Sequence, residues 1–157
     1  MWLKQTPRES LLDAWDLVKV DWYIVFEHGD MPWRLAKLLK PGFRHCWAVR
    51  YDGHEWIMFH PHLGYTDIQV VAAGPGCTIF DIVPAGYSAI IQVNAWQKVG
   101  RIRQLLPTFF TCVEQIKALL GIRAGFVFTP WQLFKLLKGK GYGLHETKST
   151  STVRSTG

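Results

Sequence analysis

Two aromatic-rich runs, residues 43–51 and 54–60, flank the dipeptide Asp52-Gly53, and no other pattern constrains the fold of this chain as tightly. Asp-Gly suits the two-residue type I′ turn, whose positive φ angles match the twist of paired strands. The pattern predicts a β-hairpin in which Tyr51 faces His54, Trp47 faces Met58 and His45 faces His60. Alternation puts His45, Trp47 and Val49 on one face, and Arg44, Cys46 and Ala48 on the other. Facing residues stand about 5 Å apart, so His45 and His60 are expected to form an imidazole pair.

Around the hairpin the chain reads as strands followed by helices. Residues 7–18 carry Leu11, Leu12, Trp15 and Val18 at helical spacing. The run 21–26, DWYIVF, is β-branched and aromatic, as a buried strand would be. Asp30 can cap a short helix that ends before Pro41-Gly42. Further strands are expected near 66–72, 77–83 and 87–94, with Gly/Pro punctuation between them. Thr111-Cys112-Val113-Glu114 has the spacing of a capping box and opens a helix striped by Val113, Ile116, Leu119 and Leu120. Gly121 stands where a left-handed cap is wanted. Thr129-Pro130 opens a second helix, which Gly139 ends.

Apolar residues make up 48% of the 157 and charged residues 19%, a globular balance with room for one domain. The expected class is α+β: a small antiparallel sheet packed with helices over residues 1–144. Residues 145–157, rich in Ser and Thr, are expected to be a disordered tail. No internal repeat is present. No apolar run approaches the ~18 residues of a membrane-spanning helix. Met1 to Gln5 runs into Pro7, Arg8 and Glu9 without a signal-peptide stretch, so a cytoplasmic location is expected.

Charge is uneven. Residues 1–97 hold 8 basic and 10 acidic side chains, whereas residues 98–157 hold 10 basic ones against Glu114 and Glu146. The basic half suits an anionic polymer as partner, or is simply a solvated face.

Three cysteines (Cys46, Cys77, Cys112) make a disulfide scaffold unexpected. Cys112 falls at the first position of a helix, where unpaired N–H groups and the helix dipole favour thiolate. A thiolate nucleophile needs a base, and the His45/His60 pair offers one imidazole to meet the sulfur and another to orient it. Cys46, on the opposite face, and Cys77, at a strand start, are expected to be structural. Trp47, Trp56 and Trp131 are candidates to wall a substrate cleft, with core packing as their ordinary use. His60-x-His62 with Cys46 or Glu55 offers zinc-type donors, but no C-x-x-C or H-E-x-x-H spacing supports a site. No metal and no cofactor are expected. A G-x-S-x-G elbow and Gly-rich phosphate loops are absent from the sequence.

The stretch RHCWAVRYDGHEWIMFHP (44–61) resembles the histidine hairpin of NlpC-type cell-wall peptidases and lecithin:retinol acyltransferase-like proteins. DWYIVFE (21–27) is similar to the strand before that hairpin, and TCVEQIKALLGI (111–122) to the nucleophile helix. Histidine precedes cysteine, the circularly permuted order of the papain-like fold. The resemblance spans roughly residues 20–140 and rests on short motifs. It implies Cys112 as nucleophile, His45 as base and His60 as orienting residue of a cysteine peptidase or amidase. The substrate would be a peptide, isopeptide or lipid ester, and the source bacterial or phage, acting on a wall after lysis or particle delivery. An acyltransferase or lipase of the same superfamily and a non-catalytic binding protein are the alternatives. Val20-Asp21 replaces the usual Gly-Asp, an insert at 31–41 precedes His45, and no second oxyanion donor is matched.

Overall fold

The computed structural model describes residues 19–29, 37–62, 65–96 and 111–146. In chain order it contains β1 (Lys19–Glu27), β2 (His45–Tyr51), β3 (Glu55–Pro61) and β4 (Thr66–Ala72). There follow α1 (Ile79–Ile82), β5 (Tyr87–Trp96), α2 (Cys112–Leu119), α3 (Pro130–Gly139) and β6 (Gly143–Glu146). The strands form one six-stranded sheet in the order β4-β3-β2-β1-β5-β6, with every neighbouring pair antiparallel. This is the mixed α/β architecture with an antiparallel sheet expected from the sequence. No helix among the described residues is long and apolar enough to cross a membrane.

β1 is the centre of the sheet, and its near-continuous apolar run follows from burial on both faces. Trp22, Ile24 and Phe26 join the cluster beneath α2 and α3, while Val25 joins Trp47, Val49, Trp56 and Ile90 on the opposite face, against Ile79 of α1 and Val83 just after it. Helices as short as α2 and α3 are marginal alone, so tertiary burial must hold them. In α2, Val113 and Ile116 are buried, and each such side chain is worth about 1.5–3 kcal/mol. In α3, Leu133 and Leu137 play the same part, and Phe134 meets Phe26 edge-on at 5.5 Å.

The ends of these helices follow the sequence closely. Thr111 caps α2 by accepting the Glu114 N–H, and Gly121 takes the left-handed conformation with φ +65°. Only half of the expected capping box forms there, because the Glu114 carboxylate turns to Lys117 Nζ at 2.5 Å. Thr129 and Gln132 make a full reciprocal box at the start of α3.

Four expectations need correction. The hairpin turns at Gly53-His54, not Asp52-Gly53: Asp52 N–H donates to the Glu55 carbonyl, and Ala48 pairs with Phe59. Gly53 alone takes positive φ (+108°), and the Asp52 side chain accepts from the N–H groups of His54 and Glu55. A type I′ turn would require positive φ at the second central residue as well, which a histidine resists. This two-residue displacement keeps every side chain on its expected face while changing its partner. Second, the strand expected at 77–83 is the short helix α1, because Thr78 and Asp81 form a capping box. Third, the ordered chain passes residue 144: His145 and Glu146 lie in β6, and His145 Nε2 hydrogen-bonds Gln92 at 2.7 Å. Fourth, Lys117 adds nothing to a basic face. It is 5% exposed and donates to the carbonyls of Ala124 and Val127. Exposed basic side chains in this half include Arg123, Lys135, Lys138 and Lys140. The expected helix over 7–18, most of the one after Asp30, and the tail from residue 147 lie outside the described residues.

Candidate active site

Cys112 is the first residue of α2, immediately after the capping Thr111. Its own N–H belongs to the first turn, whose amides have no partner within the helix. One turn on, Gln115 anchors this end to the sheet. Its Nε2 donates to the His62 carbonyl at 3.4 Å, and its Oε1 accepts from the Thr66 hydroxyl. Both partners border the β3–β4 connection, so α2 is tied to the chain just beyond His60.

The imidazoles come from the strand ends beside α2. His45 opens β2, and in the β1–β2 ladder it pairs directly with Glu27. The β2–β3 register places His60 beside Trp47, its ring 5.1 Å from the indole and 5.1 Å from the His45 ring. His62 stacks on Tyr65 at 4.6 Å and pairs with Asp67 at 3.3 Å. Gly29 closes the space behind His45. At φ +61° it holds a conformation that suits glycine, and a Cβ there would lie 2.6 Å from the His45 Cβ.

The Cys112 thiol is lowered to about 5, first by a hydrogen bond from Cys46, then by a hydrogen bond with His45 and its positive charge, against the opposing effect of burial. Cys46 moves the other way: burial and the neighbouring Cys112 sulfur push its thiol well above the ordinary range. Burial lowers His60 to about 4, assisted by the charges of His45 and His62, so its ring is neutral at neutral pH. His45 Nε2 is buried and has no hydrogen-bond partner.

The predicted residues Cys112, His45 and His60 therefore lie in one cluster. Cys46 is placed differently from expectation. It does face the helix layer, but that is where Cys112 sits, and it is the larger influence on the sulfur. Strict alternation would separate His45 from Cys46; both reach Cys112 because it lies at the rim where β2 begins. Trp47 and Trp56, considered for a cleft wall, are core side chains only 1% and 4% exposed. Trp47 instead backs His60. Trp131 is half-buried, stacked on Phe134 at 5.2 Å with Lys40 Nζ 3.1 Å from its ring centroid. Cys77 packs on the opposite side of the sheet, with its thiol directed to the Thr78 carbonyl.

Sequence reasoning missed Glu27 and Gly29. Glu27 ends the predicted first strand, and pairing that strand with the start of the hairpin would have brought it to His45. Gly29 carried no signal beyond being a glycine after a strand.

Donor atoms of Glu27, His45 and His60 all lie within 4.8 Å of one another, and His60 Nε2 is 3.9 Å from Glu27 Oε1. By donor type this trio could hold a divalent metal. It equally places a carboxylate and a second imidazole beside His45. Comparison with known proteins adds no relative: no family model, no curated protein and no solved structure matches the chain.

Proposed function

We propose that this chain is a cysteine hydrolase of peptidase or amidase type, with a permuted papain-like organisation, acting through an acyl-enzyme on Cys112. The observation that carries the reading is the contact between the Cys112 sulfur, at the amide-rich start of α2, and His45. The histidine-bearing strands precede the nucleophile helix in the chain, which supports the permuted organisation.

In this reading the Cys112 thiolate attacks the carbonyl carbon, and a C–S bond forms. The oxyanion receives the Cys112 N–H, an amide the helix leaves free. Protonated His45 gives its proton to the departing amine or alkoxide, and the acyl group stays on sulfur. His45 then takes a proton from water, which attacks the acyl carbonyl and releases the acid. His60 orients the imidazole, and the Glu27 carboxylate stabilises its charged form.

The test is acylation by p-nitrophenyl acetate and a panel of peptide anilides, followed by peptide mass mapping. The expected result is a burst of leaving group with the acyl group on Cys112, abolished in Cys112→Ala. Transfer of that acyl group to an added lipid acceptor in preference to water would favour the acyltransferase reading. No acylation, together with binding to a polyanion that weakens steeply with salt, would favour a non-catalytic role.

A further inference from the structure

Hydrolysis leaves one nucleophilic group at the site unused. Cys46 is fully buried on the helix-facing side of β2, in the apolar cluster against which Cys112 packs, and the two thiols perturb one another. The two cysteines belong to one apolar cluster, Cys112 half-buried at its edge and Cys46 inside it. Ala48, the next residue on the same face of β2, shows that a small apolar side chain fits this layer without a thiol.

We propose that Cys46 and Cys112 form a redox pair, in which a hydroperoxide oxidises Cys112 and Cys46 closes a reversible disulfide. In the first step the Cys112 thiolate attacks a peroxide oxygen. The O–O bond breaks, the peroxide is reduced to alcohol or water by taking a proton, and Cys112 becomes a sulfenic acid. In the second step the Cys46 sulfur attacks that of Cys112. The S–S bond forms, the S–O bond breaks, and the hydroxide leaves as water with the proton Cys46 gives up. A dithiol reductant returns both thiols. The arrangement gives each cysteine its part. Cys112 sits nearer solvent and meets the oxidant, while Cys46 is shielded from it and reacts through Cys112. Bridge formation withdraws the nucleophile from acyl chemistry and competes with its irreversible oxidation to sulfinic acid.

This goes beyond the hydrolase reading and needs no turnover, so the thiols themselves are the readout. The full chain is treated with hydrogen peroxide at neutral pH, quenched with an alkylating agent and mapped by mass spectrometry. The expected product is a crosslinked peptide pair containing Cys46 and Cys112, reversed by dithiothreitol and unaffected by Cys77→Ser. In Cys46→Ser, Cys112 should be trapped by dimedone as sulfenic acid and accumulate sulfinic acid at least about tenfold above the wild-type chain. Sulfinic acid at Cys112 of the wild-type chain with Cys46 still alkylatable would overturn the proposal. So would peroxide treatment that leaves both thiols free. The wild-type map decides the matter even where Cys46→Ser fails to fold.

Discussion

Glu27 stands directly opposite His45 in the β1–β2 ladder, so the last residue of one strand and the first of the next bring carboxylate and imidazole together. The placement depends on register alone. Shifting β2 by one residue would put Cys46 opposite Glu27 and turn His45 to the other face. Loss of His45 should slow Cys112 acylation by about 10²–10⁴-fold, the usual effect of removing a general base. Glu27→Gln, which keeps the shape and removes the charge, should produce a smaller loss in the same single-turnover measurement. Wild-type rates in both variants would separate these residues from the chemistry.

Gly29 and Gly53 both take positive φ, but their surroundings differ. A Cβ at Gly29 meets the His45 side chain at 2.6 Å, whereas one at Gly53 meets nothing within 4 Å. Both alanine variants should lose about 1 kcal/mol from backbone strain. Gly29→Ala should in addition displace His45 and reduce Cys112 alkylation at mildly acidic pH, while Gly53→Ala leaves alkylation unchanged. Equal labelling in the two variants would show that His45 tolerates the contact.

His60 links the site to acid stability. Unfolded, it takes its proton as pH falls through about 6.5; folded, it resists until about 4. Its contribution is therefore fully present above 6.5 and is lost as pH falls from there towards 4. The loss should be about 2–3 kcal/mol, discounting for its partial exposure. Urea titrations of Cys112→Ser, which removes the thiol's own titration, should show this decline, and Cys112→Ser/His60→Gln should flatten it. Parallel pH profiles would contradict the assignment.

Lys117 serves the scaffold. Its ammonium satisfies Glu114 and the carbonyls of Ala124 and Val127, which hold the connection between α2 and α3. Lys117→Met keeps the apolar stem but strands these acceptors. Unfolding free energy should fall by about 2–4 kcal/mol, with the urea m-value unchanged. A change below about 0.5 kcal/mol, as at an ordinary surface site, would show that the ammonium is not holding the loop.

Much of this fold was legible wherever a local rule acts alone. β1, β4 and β5, the caps at Thr111 and Thr129, and the left-handed Gly121 follow from periodicity and end signals. Local competition produced the misses. At the hairpin, Asp52 uses its side chain to accept two N–H groups and moves the turn on by one residue at each end. At 77–83, the Thr78–Asp81 cap outweighs β-branched composition. The cluster of Cys112, His45 and His60 was reached from a register that proved two residues off, because an even displacement preserves the face. Contacts between layers carry no such periodic signature. Nothing local announced that Cys46, pointing away from His45 along the strand, would influence the same sulfur.

The central claim is that Cys112 is an activated thiolate held by Cys46 and His45. Its most direct test is the pH dependence of iodoacetamide labelling, with each modified cysteine identified by mass spectrometry. Cys112 should be labelled selectively, with half-maximal rate near pH 5, and both Cys46→Ala and His45→Ala should move that midpoint upward. A midpoint in the ordinary thiol range of about 8.5, or equal labelling of Cys112 and Cys77 only at alkaline pH, would contradict it.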